Sequence, residues 1–413
     1  MTRIAAKLAA AILGFTLAAC AAVVGPKLSG TPTPPLTVLV SIDGFRPDYL
    51  DRGVTPALSD LAAGGVRGDM RPSFPSKTFP NHYALVTGLR PDRNGIVDNN
   101  MYDPAIGPQK FTMSAATAAD PRWWNEAEPI WVTAEKAGER TATMFWPGSE
   151  VAIRGVRPSH WLKFDMAIPA AARVDQALAW LDGPAAERPR LLTLYFDDVD
   201  TAGHHQGPDS PGLNEAAAKV DAAVARLEAG LKARNITANL IVVSDHGMAP
   251  ISPERRIFAD DFLDLKTVTT PTMGAFMSVI PRPGHDAEVE KILLTPRAHM
   301  QCWRKADIPA RYHYGKNPRV PPLFCLPQTG WEITTHSYKP VQPDRGDHGF
   351  DPYSPQMRAV FIAKGPAFRH GVRLATFDNV DVYPLLAKLL DVRPQPNDGR
   401  LSDLAPAMNR LTR

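Results

Sequence analysis

Four short apolar runs constrain this chain more than any other feature. They are Leu36–Ile42, Leu191–Phe196, 240–244 and 358–363. Each is rich in Val, Ile or Leu and lacks strict polar alternation, the pattern of central parallel strands covered on both faces. Helical patterns lie between them. The clearest spans about 211–232, where Val220, Val224, Leu227 and Leu231 share one face. Ser210 is placed to cap it, and Pro211 suits its first turn. Alternating strands and helices predict an α/β fold around a mostly parallel sheet. Residues 256–345 break this rhythm. They are rich in Pro, hold two of the three cysteines, and read as an inserted smaller subdomain or lid between core segments 36–255 and 346–413. Final helices are expected over 378–390, kinked at Pro384, and over 403–411.

Acidic and histidine side chains gather where these runs end. Asp43 follows the first. Asp197, Asp198 and Asp200 follow the second, with His204 four residues beyond Asp200. Asp245 and His246 follow the third. Gly346-Asp347-His348-Gly349 precedes the fourth and can return to the same edge. Ligand sites of open α/β sheets collect at the carboxyl ends of strands. So many carboxylates in one place repel unless protons or cations balance them. Carboxylate oxygen mixed with imidazole nitrogen suits zinc. Any one of these residues alone could be a structural strand-end residue; their shared placement points to a metal site.

A second element lies at Pro72–Tyr83. Pro80 fits the first turn of a helix through Tyr83-Ala84-Leu85-Val86, with Thr78 just ahead of its N-terminus, where backbone N–H groups attract anions. A metal-bound Thr hydroxyl there becomes an alkoxide nucleophile. A Thr at that place can equally do no more than cap the helix.

The first residues carry a different signal. Arg3 and Lys7 precede an apolar run over 8–19, too short to span a bilayer and suited to a signal peptide. It ends in Leu17-Ala18-Ala19-Cys20, which resembles a bacterial lipobox. Cys20 would then be lipidated after removal of 1–19, and 20–35 would be a Gly/Pro/Ser/Thr-rich tether. The chain is expected to be exported, to the periplasm or as a membrane-anchored envelope lipoprotein. An oxidising compartment makes Cys302 and Cys325 natural disulfide partners. The net charge of +3, from 46 basic and 43 acidic residues, includes Arg3 and Lys7; without them it is +1. A near-neutral chain without a basic patch disfavours a nucleic-acid polymer as partner.

In order, SIDGFRPDYL, PSKTFPNHYALVTGLRPDRNGIVDN, FDDVDTAGHHQGP, VSDHGM and GDHGFD together closely resemble the nucleotide pyrophosphatase/phosphodiesterase family of the alkaline phosphatase superfamily. The resemblance covers about 36–405. It implies an alkaline-phosphatase-like three-layer sandwich and two zinc ions. Asp43, Asp245 and His246 would hold one, with Thr78 as nucleophilic ligand. Asp200, His204 and His348 would hold the other, with Asp347 supporting His348. Asn99 would donate to a non-bridging phosphate oxygen, while its bland reading is a turn residue after Gly95. His82 and His205 match motif positions but not ligand positions. Val199 and Phe350 depart from the family's common Pro and Tyr without removing a ligand. Thr78-Phe79-Pro80-Asn81-His82 stands where a sulfatase needs Cys or Ser before x-Pro-x-Arg, which disfavours that branch.

The implied reaction is cleavage of phosphodiester or pyrophosphate bonds of nucleotides to nucleoside monophosphates, through a covalent phosphothreonine. Phe79, Tyr195 and Phe164 are candidate stacking partners for a base. Alternatives are a phosphodiesterase of lysophospholipid or choline head groups, a phosphomonoesterase, or a non-catalytic zinc-containing surface lipoprotein. A monoesterase needs an extra cation on the terminal phosphate. Lys77 is adjacent to Thr78 but alternates away if the chain there is extended. The oligomeric state is not legible.

Overall fold

The computed structural model describes residues 34–113, 116–340 and 342–409. The signal-peptide and lipobox readings, including Cys20, fall outside them. A nine-stranded mixed sheet, mostly parallel, forms the centre. Its strands are β1 (Leu36–Ile42), β2 (Val66–Arg71), β3 (Thr141–Met144), β4 (His160–Leu162), β5 (Leu191–Phe196), β6 (Ala238–Val243), β7 (Ala359–Lys364), β8 (Val372–Arg373) and β9 (Phe377–Asp378). The spatial order is β8-β2-β7-β6-β1-β5-β3-β4, with β9 also on β2.

All seven residues of β1 are buried, because it lies between β5 and β6 and both sheet faces are covered. Period-two alternation sorts its side chains: Leu39 packs into one core, and Val38, Val40 and Ile42 into the other. The first core is closed by α2 (Thr78–Thr87), the short helix Ile130–Lys136 and α6 (Val382–Leu390). The second is closed by α1 (Pro56–Gly64), α3 (Ala170–Ala179), α4 (Asp198–Gln206) and α5 (Pro211–Ala233). This is the expected three-layer sandwich. Along α5, Val220, Val224, Leu227 and Leu231 are all buried, and the Leu213 N–H donates to Ser210 Oγ at 3.1 Å. Burying such aliphatic side chains contributes roughly 1.5–3 kcal/mol each before chain entropy is subtracted.

Parallel pairing aligns the carboxyl ends of β1, β5 and β6. Ile42 pairs with Phe196 and Ser41 with Val243. β7 departs from expectation: it runs antiparallel to both β6 and β2. An apolar run carries no signal of direction. The reversal matters, because it places the start of β7 beside the carboxyl end of β6 and so returns Asp347 and His348 to the same edge.

Between β6 and β7, the strands Val268–Thr269, Met277–Pro281, Leu323–Pro327 and Met300–Arg304 form a small antiparallel sheet. It has its own core, which includes Met277, Val279, Val289, Leu293 and Leu323. Cys302 and Cys325 face each other across two of these strands and are disulfide-bonded. Near the C-terminus, Pro384 lies in the first turn of α6, where its missing N–H costs nothing, so it introduces no kink. Residues 410 and 411 of the helix expected over 403–411 lie outside the described residues; before them the chain forms a short helix at Leu401–Leu404, a tighter turn over Ala405–Ala407 and extended chain at Met408. Pro406 cannot sit in a helix interior.

Candidate active site

The carboxyl edge of the sheet collects Asp43, Asp200, His204, Asp245, His246 and His348. The Asp43 N–H donates to Phe196 O at 2.9 Å, which locks the turn after β1 onto β5. Gly44 then takes φ +68°, and a Cβ there would stand 3.1 Å from Asp200 Cα and Oδ1. Only glycine lets this turn approach α4 so closely. Asp200 and His204 lie one turn apart on α4, with Oδ2 and Nε2 separated by 3.5 Å.

Among the described residues, three groups of side chains bring metal-ligating atoms within 4.8 Å of one another: Asp43 with Asp245 and His246, Asp200 with His246 and His348, and His204 with Asp347 and His348. The Asp200 Oδ1 to His348 Nε2 distance is 3.7 Å. In each histidine the Nδ1 faces a backbone carbonyl at 2.9 Å: Gly346 O for His204, Gly247 O for His246, and Ser76 O for His348. That fixes the tautomer and turns the Nε2 lone pair into the cluster, as metal-binding imidazoles require. The His246 and His348 rings stack at 3.6 Å.

Protein charges alone leave this cluster unbalanced. Burial, then the Asp245 and Asp200 charges, push Asp43 well above the usual carboxylate range. Asp200 is raised too, chiefly by burial. Burial followed by the His246 charge pushes His348 well down, so it is neutral. Among the described residues, Asp43 Oδ1, Asp200 Oδ1 and Asp245 Oδ2 are buried without a hydrogen-bond partner. Three orphaned carboxylate oxygens beside inward lone pairs are what bound metal cations would satisfy.

Thr78 is the first residue of α2, so the helix starts earlier than the sequence suggested, which placed Thr78 just ahead of it. Lys77 occupies the N-cap position, and no side chain caps the helix. The capping reading of Thr78 therefore falls away. Its Oγ1 lies 3.3 Å from His246 Nε2, inside the cluster. The Phe79 N–H donates to Asn99 Oδ1 at 2.9 Å. This assigns the amide orientation and leaves Asn99 Nδ2 as a donor without a partner among the described residues. The Asn99 side chain is thereby tied to the second residue of α2, beside Thr78.

His82 lies beneath the cluster, with Nε2 2.8 Å from Ser41 Oγ and Nδ1 3.3 Å from Asp245 Oδ2. His205 is exposed and 3.2 Å from Asp344. The chain at Lys77 is extended, and its side chain does not line the cleft but pairs with Asp347, with Nζ 3.3 Å from Oδ1 and the pair largely buried.

A cleft of about 300 Å³ opens over Thr78, Asp43 and Asp200. Phe79, Tyr195 and Phe164 all line it, joined by Trp124, Phe145 and Trp146, which sequence reasoning did not single out. Their signal was present as Trp123-Trp124 and Phe145-Trp146-Pro147, but buried aromatic pairs read first as core. Tyr195 has a further role unseen in the sequence: its hydroxyl bonds Asp43. At the cleft's mouth, Met113, Phe164 and Met166 are among the few large apolar side chains left exposed among the described residues.

Similarity to known proteins agrees with this geometry. A sequence model of the family described as type I phosphodiesterase / nucleotide pyrophosphatase matches residues 37–351. An uncharacterized pyrophosphatase/phosphodiesterase of Schizosaccharomyces pombe is 41% identical over 390 residues, covering 89% of this chain and 79% of the relative. Human ectonucleotide pyrophosphatase/phosphodiesterase family member 1 is 37% identical over 90% of this chain, which spans only 41% of that longer protein. Human ectonucleotide pyrophosphatase/phosphodiesterase 5 superposes with a TM-score of 0.87 at 34% identity, over 91% of this chain and 100% of that structure. Its murine counterpart, at the same TM-score and 32% identity, was solved as an inactive threonine-to-alanine variant in complex with AMP.

Proposed function

This chain belongs to the type I phosphodiesterase / nucleotide pyrophosphatase family, a metal-dependent family of hydrolases acting on phosphodiester bonds, and on that premise we propose that it is an exported dizinc enzyme releasing nucleoside monophosphates from nucleotides. The carrying observation is the placement of the Thr78 hydroxyl in the cluster that holds three orphaned carboxylate oxygens, beneath an aromatic cleft. Asp43, Asp245 and His246 would hold one ion, and Asp200, His204 and His348 the other. Bound zinc would lower the pKa of a coordinated hydroxyl and offset charge on the phosphate.

The chain's own groups account for the rest. Thr78 Oγ1 attacks phosphorus, and its bond forms as the bond to the leaving oxygen breaks. Water then cleaves the phosphothreonine, freeing the monophosphate and restoring Thr78. Asn99 Nδ2 and the Thr78 N–H at the helix terminus donate to the non-bridging oxygens. Phe79, Phe164 and Tyr195 form apolar walls for a base. The AMP complex of the murine relative supports a nucleotide as ligand.

The test is an assay of purified, zinc-analysed protein on a nitrophenyl thymidine phosphate, a simple nitrophenyl diester, a nitrophenyl monoester and a choline diester. Nucleotide diester turnover well above the others, lost on chelation and in Thr78→Ala with zinc retained, is the expected result. Preference for the choline diester or the monoester would replace this reading. Inactivity on every substrate with two zincs bound would favour a structural metal.

Export and anchoring are proposed from residues 1–20 alone. No helix among the described residues is long and apolar enough to cross a membrane. Cys20→Ser should release the protein from the membrane fraction, and unchanged partitioning would remove the lipid anchor from the proposal.

A further inference from the structure

The loop carrying Asn99 is gripped from the segment between β6 and β7. Asp98 is buried, at 4% exposure. Its Oδ1 accepts the Asn99 backbone N–H at 2.6 Å, and its Oδ2 accepts the Thr272 hydroxyl at 2.6 Å, from 174 residues away. Around this pair, Lys110 Nζ donates to Pro271 O at 2.8 Å and Tyr314 Oη donates to Val97 O at 3.0 Å. The buried Arg319 reaches Gly95 O and Asp103 Oδ2, both at 2.7 Å. None of these groups lines the cleft.

Asp98 has no lysine or arginine at hydrogen-bond distance among the described residues. An unpaired buried carboxylate is costly. Burial pushes its pKa up to about 6, against the pull of the Thr272 hydroxyl and of Lys77. A loop that only had to turn would avoid such a group. This carboxylate instead joins the Asn99 peptide to a distant hydroxyl.

We propose that Asp98 is a positioning residue for the Asn99 amide and that Thr272 is its strut, so that the segment holding Thr272 tunes catalysis without touching substrate. The proposal rests on the reading of Asn99 as the phosphate donor. The Asp98 carboxylate fixes the Asn99 backbone while the Phe79 N–H fixes its side chain, and together they aim Nδ2. Preorganised donors lose most of their effect when free to swing.

The experiment uses full-length, zinc-loaded protein and nitrophenyl thymidine phosphate. The variants are Thr272→Val, Thr272→Ser, Asp98→Asn and Asn99→Ala, with kcat, KM, zinc content and Tm measured for each. Removing one oxyanion donor in Asn99→Ala should lower kcat by about 100-fold. Thr272→Val, which keeps shape and loses the hydroxyl, should lower kcat by roughly 10-fold, a fraction of the full donor effect, with KM and zinc content unchanged. Thr272→Ser should recover wild-type kcat. In the Asn99→Ala background, Thr272→Val should cost nothing further, since the donor it positions is gone. Unchanged kcat in both Thr272→Val and Asp98→Asn, beside a large loss in Asn99→Ala, overturns the proposal and leaves the Asn99 reading standing. An additive double variant overturns it too. No loss in Asn99→Ala overturns the underlying reading.

Discussion

The Tyr195 hydroxyl donates a 2.6 Å hydrogen bond to Asp43 Oδ2, while Asp43 Oδ1 faces His246 Nε2 at 3.4 Å. One oxygen is thereby anchored to the cleft wall and the other is aimed into the cluster. Burial, then the Asp43 charge, raise the phenol well above its ordinary pKa, so it stays a donor. The same ring packs edge-on against His82 and Phe164. The cleft wall and a proposed metal ligand are thereby joined.

Tyr195→Phe should therefore weaken zinc binding while keeping the cleft's shape. Losing such an outer hydrogen bond typically costs about 10–100-fold in metal affinity. Chelator competition measures it. Unchanged affinity would show that the tyrosine only packs.

Lys77 gives a second test. Its side chain and that of Asp347 are each 13% exposed. Asp347 also accepts the His348 N–H at 2.7 Å, and so holds the backbone of a proposed ligand. Lys77→Met removes one partner of a buried pair and should destabilise by about 3 kcal/mol. Zinc stoichiometry should fall toward one per chain as His348 loosens. Adding Asp347→Asn should recover part of the stability, because the uncompensated charge is then gone. Denaturant titration with zinc analysis reads both effects, and a double variant less stable than Lys77→Met would refute the account.

What the sequence made legible, and what it hid, divides along physical lines. β1 and β5 were readable to the residue, since a strand buried on both faces leaves an unbroken apolar run and the Asp that follows marks its end. The gathering of Asp43, Asp200, His204, Asp245 and His246 was readable because each follows a strand and the parallel pairing of β1, β5 and β6 aligns those ends, whereas His348 returns to the edge ahead of the antiparallel β7. The direction of β7 was hidden, because apolarity has no polarity of direction. Lys77 was hidden because a long flexible side chain can round the backbone to reach Asp347. Asp98 was hidden because its partner, Thr272, is remote in sequence and neither residue type signals the pairing.

The Cys302–Cys325 bond closes a sequence separation of 23 residues between neighbouring strands. On the chain-entropy account, such a loop contributes about 3 kcal/mol. Cys302→Ala with Cys325→Ala should lose stability on that order in denaturant, and reductant should reproduce the shift in the wild type. A reductant-sensitive double variant would mean that the shift has another origin.

Asp381, which is not one of the proposed metal ligands, supplies a pH prediction. It precedes α6, where its Oδ1 accepts the Arg400 N–H at 2.7 Å and its Oδ2 is buried without a partner. Burial raises its pKa to about 6, with Asp378 and Asp403 adding repulsion. The folded state thus holds a proton that the unfolded chain releases near pH 4. Its stabilising contribution is full below pH 4 and is lost as the pH rises through 6, which makes the ionised side chain a liability at pH 7–8. Asp381→Asn keeps the acceptor for Arg400 and removes the charge. It should match the wild type near pH 4 and exceed it by about 1–2 kcal/mol at pH 8. Urea denaturation at the two pH values measures the difference, and an equal gain or loss at both would show that ionisation of Asp381 is not its source.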